Sequence, residues 1–271
     1  MRLTEIRTDP RPVAIARIGV GIATILNSIE AYQILSGVAS GGLTAPVAGI
    51  LTPSLAALLP VVVVALVAAV AVTIGWHTEW AATVSVVVSV TFFFWDQQIY
   101  SSHRLLATLL MAYMIFAKAG TAWSVRPAPG RPPVVWWPQL LMMTQLSVCY
   151  LFSALSKMNV VFLSGAPLST WVWVDLPWQF YTVAALCTVA VELVIAFGLW
   201  FRSSRRVAVL LGLGLHLSIV VLMKADTVVL FAFALTCVSL YPLFIFRPAL
   251  RFPWMADPEP TSEGRSPATT A

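Results

Sequence analysis

The sequence predicts an all-α, polytopic membrane helix bundle. Of its 271 residues, 59% are hydrophobic and only 10% are charged, and the mean hydropathy is +0.88. A soluble domain carries about a quarter charged residues. The apolar residues also fall in runs of about twenty, the length that a helix needs to cross a hydrocarbon core roughly 30 Å thick. We therefore expect about eight transmembrane helices.

Eight apolar segments are separated by loops that contain polar residues, glycine or proline. The first follows Asp9 and Pro10, which are typical helix-start residues. The third has a Trp at each end, as expected at the two membrane interfaces. The predicted helices are Val13–Leu35, Ser54–Trp76, Trp80–Trp95, His103–Trp123, Trp136–Lys157, Trp178–Phe201, Val207–Met223 and Thr227–Phe246.

The basic residues favour one orientation of these eight helices. With both termini in the cytoplasm, twelve lysines and arginines lie on the inner side: Arg2, Arg7, Arg11, Lys118, Arg126, Arg131, Arg202, Arg205, Arg206, Arg247, Arg251 and Arg265. The outer side receives Arg104, Lys157 and Lys224. This distribution follows the positive-inside rule. It also accounts for the sequence pI near 9.4 without a nucleic-acid partner.

The chain divides into a cytoplasmic N-terminal segment (1–12), a transmembrane domain (13–246) and a tail (247–271). The tail lacks hydrophobic periodicity, so we expect it to be disordered and cytoplasmic. The first apolar segment is long and has no clear cleavage site, which argues against a cleavable signal peptide. Cys149, Cys187 and Cys237 all lie in apolar runs, and no CxxC or Cys/His cluster indicates a metal site or a disulfide framework.

Charged residues inside the predicted helices need partners, because an unpaired charge within a membrane is costly. Arg17 and Glu192 both fall toward the inner ends of their helices, which favours a buried ion pair that orients two helices. Glu30 lies in the outer half of the first helix. It is either a structural carboxylate or a partner for Lys157.

The stretch from Gln145 to Gly165 (QLSVCYLFSALSKMNVVFLSG) ends a helix with Lys157. Below Lys157 a polar strip is formed at steps of four residues by Ser153, Cys149 and Gln145. Such a strip faces the protein interior or a cavity rather than lipid. Lys157 is therefore either an anchor at the membrane surface or, in a partly dry cavity, a lysine that gives up its proton readily enough to act as a base.

Two histidines are candidates for the same site. His103, preceded by Ser102, opens the fourth helix on the side predicted to hold Lys157, and a histidine at a helix N-terminus tends to stay neutral and to accept protons. His216 lies within the seventh helix, and Gly212 on the same face lets a helix or a flat ligand approach. His216 is either a hydrogen-bonded core residue or, with Tyr150, part of a pocket lining.

The segments PVAIARIGVGIATIL, YSSHRLLATLL, YLFSALSKMNVVFLSG and LHLSIVVLMKADTVVLFAFAL occur in this order. Together they resemble the HTTM domain, the membrane domain shared with vitamin K-dependent gamma-carboxylase, over roughly residues 10–246. The resemblance implies that Lys157 is the base that deprotonates a reduced naphthoquinone and that His103 assists it. We expect Tyr150, Ser153, His216 and Ser102 to contribute to cofactor binding.

Some positions depart from the animal carboxylases. Ser102 stands where they have an asparagine, and Ser156 stands where they have the first of two adjacent lysines. Their large extramembrane region, which engages a propeptide, has no counterpart in the resemblance. In length and in its bare membrane domain the chain is more similar to small bacterial family members that mature a secreted peptide.

The expected function is a carboxylase-like modification of a glutamate or peptide substrate at the outer face of a bacterial inner (plasma) membrane. Vitamin K hydroquinone or menaquinol is the expected cofactor, and no metal is implied. The pocket is expected between the first, fourth, fifth and seventh predicted helices. The alternative is a non-catalytic protein that matures or escorts a small secreted peptide. A transporter is disfavoured, because no inverted repeat is visible.

Overall fold

The computed structural model describes residues 3–47, 53–224 and 227–248, and it confirms the all-α membrane bundle. Its helices are α1 (Arg11–Ala39), α2 (Leu55–Ile74), α3 (Thr78–Trp95), α4 (Ser102–Met114), α5 (Trp137–Lys157), α6 (Val160–Leu163), α7 (Ala166–Trp171), α8 (Trp178–Gly198), α9 (Arg205–Leu222), α10 (Thr227–Ser239) and α11 (Tyr241–Ile245). Single 3-10 turns lie at Leu3–Glu5, Gln97–Ile99 and Ala119–Thr121. Most of the predicted tail, residues 249–271, lies outside the described residues.

Seven helical stretches within the described residues are long and apolar enough to cross a membrane. The fourth predicted helix is the exception, since α4 ends at Met114 rather than Trp123. Its 13 residues span about 20 Å. The chain then continues through turns, and Gly120 lies against Thr78 at the start of α3. Irregular backbone at this depth is tolerated because protein surrounds it, and Ala117 and Ala119 are fully buried.

A two-stranded antiparallel sheet shows that residue 7 and residue 135 lie at the same end of the bundle. β1 (Arg7–Thr8) pairs with β2 (Val134–Val135). The backbone N–H of Trp136 also donates to the carbonyl of Ile6 at 3.1 Å. The chain between the two strands, which contains α1 to α4, therefore crosses the bundle an even number of times. We call this end, which also holds Arg205 at the start of α9, the basic end.

Arg17 joins three segments near the basic end. Its side chain is fully buried, and its guanidinium donates to the carbonyls of Val72 and Thr73, each at 3.0 Å, and to that of Trp123 at 2.5 Å. Val72 and Thr73 lie in the last turn of α2, where free carbonyls and the helix dipole favour a cation. The expected pair between Arg17 and Glu192 is therefore wrong.

The helices pack against partners that are both near and far in the sequence. α1 packs against α2 and α10, and α5 packs against α8, which packs against α9. The last predicted helix is broken after Ser239, and α11 begins with Pro242 in its first turn. α9 approaches α11 closely at Gly212, where a Cβ atom would overlap the ring of Tyr241.

Replacing Arg17 with methionine is expected to destabilise the protein by about 3 kcal/mol. The substitution keeps much of the aliphatic volume but removes hydrogen bonds from a charged donor, each worth about 1.5–3 kcal/mol before the site relaxes. Unfolding in mixed micelles measures the change. The control is Arg206→Met, at an exposed position of the basic end. Equal stability of the two variants would contradict the linking role of Arg17.

Gly212→Ala is expected to cost about 1–3 kcal/mol, because the added methyl must displace the Tyr241 ring from a packed contact. Gly214→Ala is the matched control on the same helix, since a Cβ atom there has nothing within 4 Å. Alanine has the higher helix propensity, so the control should be neutral or slightly stabilising. A neutral result for both substitutions in thermal unfolding would show that α9 and α11 are loosely packed.

Candidate functional site

Lys157 lies at the C-terminal end of α5, where the chain turns back across the bundle. Asn159 starts α6 by accepting a hydrogen bond from the N–H of Phe162 at 2.9 Å. Gly165 then starts α7 with φ at +85°, and a Cβ atom there would lie 2.6 Å from the backbone nitrogen of Thr182 in α8. Glycine is needed for both reasons. The turn closed by Gly165 thus fixes α6 and α7 against α8.

Lys157 forms an ion pair with Glu192 of α8. Lys157 Nζ donates to Glu192 Oε1 at 2.7 Å and to Ser153 Oγ at 2.5 Å. Ser153 Oγ in turn donates to Glu192 Oε1 at 2.9 Å. Ser153 of the predicted polar strip therefore orients the pair. Glu192, assigned to Arg17 from the sequence, is the site residue that the sequence analysis missed, and its only signal was a carboxylate inside an apolar run.

Glu192 is the more deeply buried residue of the pair. The Glu192 side chain is 6% exposed and that of Lys157 is 24% exposed. Glu192 Oε2 is buried and has no hydrogen-bond partner among the described residues. A buried carboxylate oxygen without a donor is costly. Such an atom beside a cavity is a candidate contact for a ligand hydroxyl.

A cavity of about 590 Å³ lies beside the pair. Lys157 and Glu192 are the charged residues of its lining, and the rest is largely apolar, supplied by α7, α8, α9, α10 and the loop after α7. The cavity does not follow the expected arrangement of the first, fourth, fifth and seventh predicted helices, because the first and fourth contribute no residue to its lining. That expectation is wrong.

Three hydrogen bonds to backbone carbonyls hold the loop after α7, which lines one side of the cavity. The N–H of Trp173 donates to the carbonyl of Leu222 at 2.9 Å, and the N–H of Lys224 donates to that of Trp171 at 2.6 Å. The hydroxyl of Tyr181 donates to the carbonyl of Val174 at 2.8 Å. These bonds join the loop between α7 and α8 to the end of α9 and to the start of α8.

The rim of the cavity is apolar and exposed. Phe180, Trp171 and Leu222 line the cavity and are 59%, 45% and 41% exposed. On a membrane helix, exposed apolar side chains of this kind face lipid. The cavity is therefore accessible to molecules that reside in the bilayer.

Tyr150 and His216 form a separate buried cluster with Tyr241. The Tyr150 hydroxyl lies 2.6 Å from His216 Nε2 and 2.7 Å from the Tyr241 hydroxyl. Neither Tyr150 nor His216 is part of the cavity lining, although Phe233, which packs edge-on against His216, is. The two residues predicted to contact a cofactor thus meet each other behind the cavity wall.

His103 belongs to a third cluster, between α1 and α4. His103 Nε2 lies 3.4 Å from Glu30 Oε2 and 3.3 Å from Ser101 Oγ, and Arg104 Nη2 lies 2.5 Å from Glu30 Oε1. Glu30 is therefore a structural carboxylate, and the alternative that it pairs with Lys157 is wrong. Ser102, beside His103, is exposed. His103 and Lys157 share no partner in the described part of the chain.

No cluster of three or more His, Cys, Asp or Glu side chains that could hold a metal ion is present in residues 3–47, 53–224 and 227–248.

Comparison with known proteins places the chain in a family. The family model of the HTTM domain matches residues 7–248, which includes nearly all of the described helices. No curated protein and no solved structure gives a significant match. Because the matched region contains the complete helix bundle and the Lys157 cavity, we conclude that this multi-pass membrane protein belongs to the HTTM domain family.

Proposed function

We propose that the protein is a membrane enzyme in which Lys157 and Glu192 remove a proton from a reduced naphthoquinone, in support of carboxylation, or a related modification, of a glutamate or peptide substrate. The observation that carries the proposal is the Lys157–Glu192 pair, 2.7 Å apart, at the wall of an apolar cavity open to the bilayer. The resemblance to vitamin K-dependent gamma-carboxylase supports the same assignment of Lys157 as a base.

The cavity fits the chemistry of such a cofactor. Its volume of about 590 Å³ lies within the range of about 300–1,000 Å³ that is usual for small-molecule sites. The apolar lining suits a flat ring system with a lipid tail, which can extend past Phe180 and Leu222 into the membrane. At the polar wall, Glu192 Oε2 is buried and has no partner among the described residues, so a small rotation of this side chain toward the cavity lets it accept a hydrogen bond from a ring hydroxyl.

The two side chains can move one proton without creating a lone buried charge. Glu192 Oε1 takes the proton of Lys157 Nζ across the 2.7 Å contact, and the resulting amine takes a proton from a ligand hydroxyl. Lys157 is then cationic again, and its charge faces the new anion in a site of low dielectric. Ser153 holds both partners during the transfer through its own hydrogen bonds. When bound, a reduced naphthoquinone would supply the acidic hydroxyl.

His103 has a supporting part in this proposal. Its contacts are to Glu30 and Ser101, so it stabilises the packing of α1 against α4 rather than touching the ligand. Tyr150 and His216 likewise support the wall behind Phe233. These assignments make Lys157 and Glu192 the residues that act directly on the proton.

Lys157→Ala is expected to lower product formation about 10²–10⁴-fold, the usual contribution of a general base. Glu192→Gln should lower it by a similar factor, because the amide keeps a hydrogen bond to Lys157 but cannot take its proton. The measurement is the mass of secreted peptides from cells that carry each variant, and the expected product is heavier by one carboxyl group. Cys187→Ser, at an exposed position on α8, is the control.

Identical peptide masses and equal secretion for wild type and Lys157→Ala would contradict the catalytic role. Equal masses with reduced secretion would instead favour the alternative, a non-catalytic protein that escorts a small secreted peptide. Both outcomes leave membership in the HTTM family unchanged.

Filling the cavity is expected to prevent quinone binding. Ala184 lines the cavity, so Ala184→Trp should reduce the naphthoquinone that co-purifies with the protein by at least about ten-fold, because a methyl group is replaced by a ring that occupies the ligand's volume. Val183→Trp is the matched control, since Val183 is 58% exposed and is not part of the lining. Extraction and chromatography of bound quinone provide the measurement. Equal quinone content in both variants would show that the cavity is not the quinone site.

A further inference from the structure

Two adjoining cavities at the basic end lie away from the Lys157 site. One, of about 260 Å³, includes the polar or charged residues His77, Thr78, Glu79, Lys118, Thr121 and Arg126 in its lining; we call it the basic pocket. The other, of about 440 Å³, lies between α2 and α3 and includes Val63, Val67, Ala71, Trp76, Trp80 and Val84; we call it the apolar groove. His77 lines both, so the two cavities adjoin each other at this residue.

The basic pocket contains hydrogen-bond donors that lack partners. α3 begins at Thr78, and no side chain caps its first backbone N–H groups. The residue Thr78 is 6% exposed, and its buried Oγ1 has no hydrogen-bond partner among the described residues. Free N–H groups at the start of a helix attract anions through their hydrogen bonds and through the helix dipole. A buried hydroxyl beside them adds a donor.

The charged side chains of the pocket also favour an anion. Lys118 and Arg126 are both exposed, and Glu79 is the acidic residue of the lining. Lys118 Nζ lies 2.8 Å from Glu79 Oε1, which leaves Arg126 as the cation without a carboxylate partner among the residues described here. The net charge of Lys118, Glu79 and Arg126 together is +1.

The apolar groove supplies the complementary surface for a hydrocarbon chain. Its lining is apolar apart from His77. Trp80 is 74% and Trp76 is 45% exposed. Both line the groove close in sequence to His77, which also lines the pocket, and tryptophans concentrate at the level of lipid headgroups. A molecule with an anionic head and an acyl tail therefore fits this region, with its head in the basic pocket and its tail in the apolar groove.

We propose that the basic pocket and the apolar groove together bind one anionic phospholipid. Its phosphate accepts hydrogen bonds from Thr78 and the first N–H groups of α3 and pairs with Lys118 and Arg126. One acyl chain lies in the groove past Val67. The loop that carries Lys118 and Arg126 is held by the bond from Arg17 to the carbonyl of Trp123, so the same buried arginine that links α1 to α2 also fixes the pocket. This lipid site is independent of the proposed enzymatic function.

Native mass spectrometry of the full chain in detergent tests the proposal. With dioleoyl phosphatidylglycerol and dioleoyl phosphatidylcholine at equal concentration, the wild-type protein should retain the anionic lipid at least five-fold more. The double variant Lys118→Gln/Arg126→Gln should lose about 25-fold in affinity for the anionic lipid, at roughly five-fold for each basic side chain near the headgroup. Arg202→Gln/Arg206→Gln removes two exposed charges from the same end and is the matched control.

A second pair of variants tests the groove. Val67→Trp fills it and should reduce retention of phosphatidylglycerol at least five-fold. Val70→Trp, at a position on α2 that is 44% exposed but outside the groove lining, should not. Thermal unfolding confirms that each variant is folded, and a variant that does not fold is replaced by the corresponding leucine or serine substitution.

Three results would overturn the proposal. The first is equal retention of the two lipids by the wild-type protein. The second is an equal loss of affinity in the pocket variant and its charge-matched control. The third is binding of inorganic phosphate as tight as that of the lipid and unaffected by Val67→Trp, which would make the pocket a site for a soluble phosphate.

Discussion

A charged side chain within a membrane must find its partner inside the protein, because the hydrocarbon offers neither hydrogen bonds nor dielectric screening. Arg17 meets this requirement with helix-end carbonyls, Glu30 with Arg104, and Glu192 with Lys157. Each pairing joins segments that are apolar elsewhere on their surfaces. The positions of α1, α4, α5 and α8 therefore follow from where their few charges can be neutralised.

Arg17, the Tyr150 cluster and the Lys157–Glu192 pair each leave a buried polar atom without a partner among the described residues, and they differ in their position relative to the cavity of about 590 Å³. The guanidinium of Arg17 donates to three carbonyls and lines neither the Lys157 cavity nor the basic pocket, although its Nε lacks a partner among the described residues. The Tyr150–His216–Tyr241 cluster is shielded from the membrane cavity by Phe233. The Lys157–Glu192 pair is beside a large cavity, and one carboxylate oxygen faces no protein donor. This contrast separates a pair that can act on a ligand from polar groups that hold helices together.

Much of the fold could be predicted from the sequence because a membrane span is a local property. Hydropathy over about twenty residues defines a span by itself, and the bounds of α2, α5 and α8 lie within three residues of their predictions. α4 was harder to predict. Its C-terminal half is replaced by turns that pack on α3 and present a carbonyl to Arg17, which is a tertiary constraint with no local signal.

The candidate site was predictable only in part, for the same reason. The polar strip that leads to Lys157 is a feature of one helix, and its spacing of four residues follows from helical geometry. The choice between Glu30, His103 and Glu192 as its neighbour depends on which helices pack together. Most of their surface residues are apolar, so the sequence pattern does not discriminate between possible helix neighbours.

By itself, the sequence determined that this is a helical membrane protein, that most of its basic residues gather at one end, and that Lys157 closes a polar strip at the other. Hydropathy, charge and helical periodicity are sufficient for each of these. The tertiary structure alone decided that Lys157 pairs with Glu192, that His103 pairs with Glu30 elsewhere, and that a cavity opens from the pair to the bilayer. These contacts join residues on different helices, and helix packing, which brings them together, is fixed by the whole bundle at once.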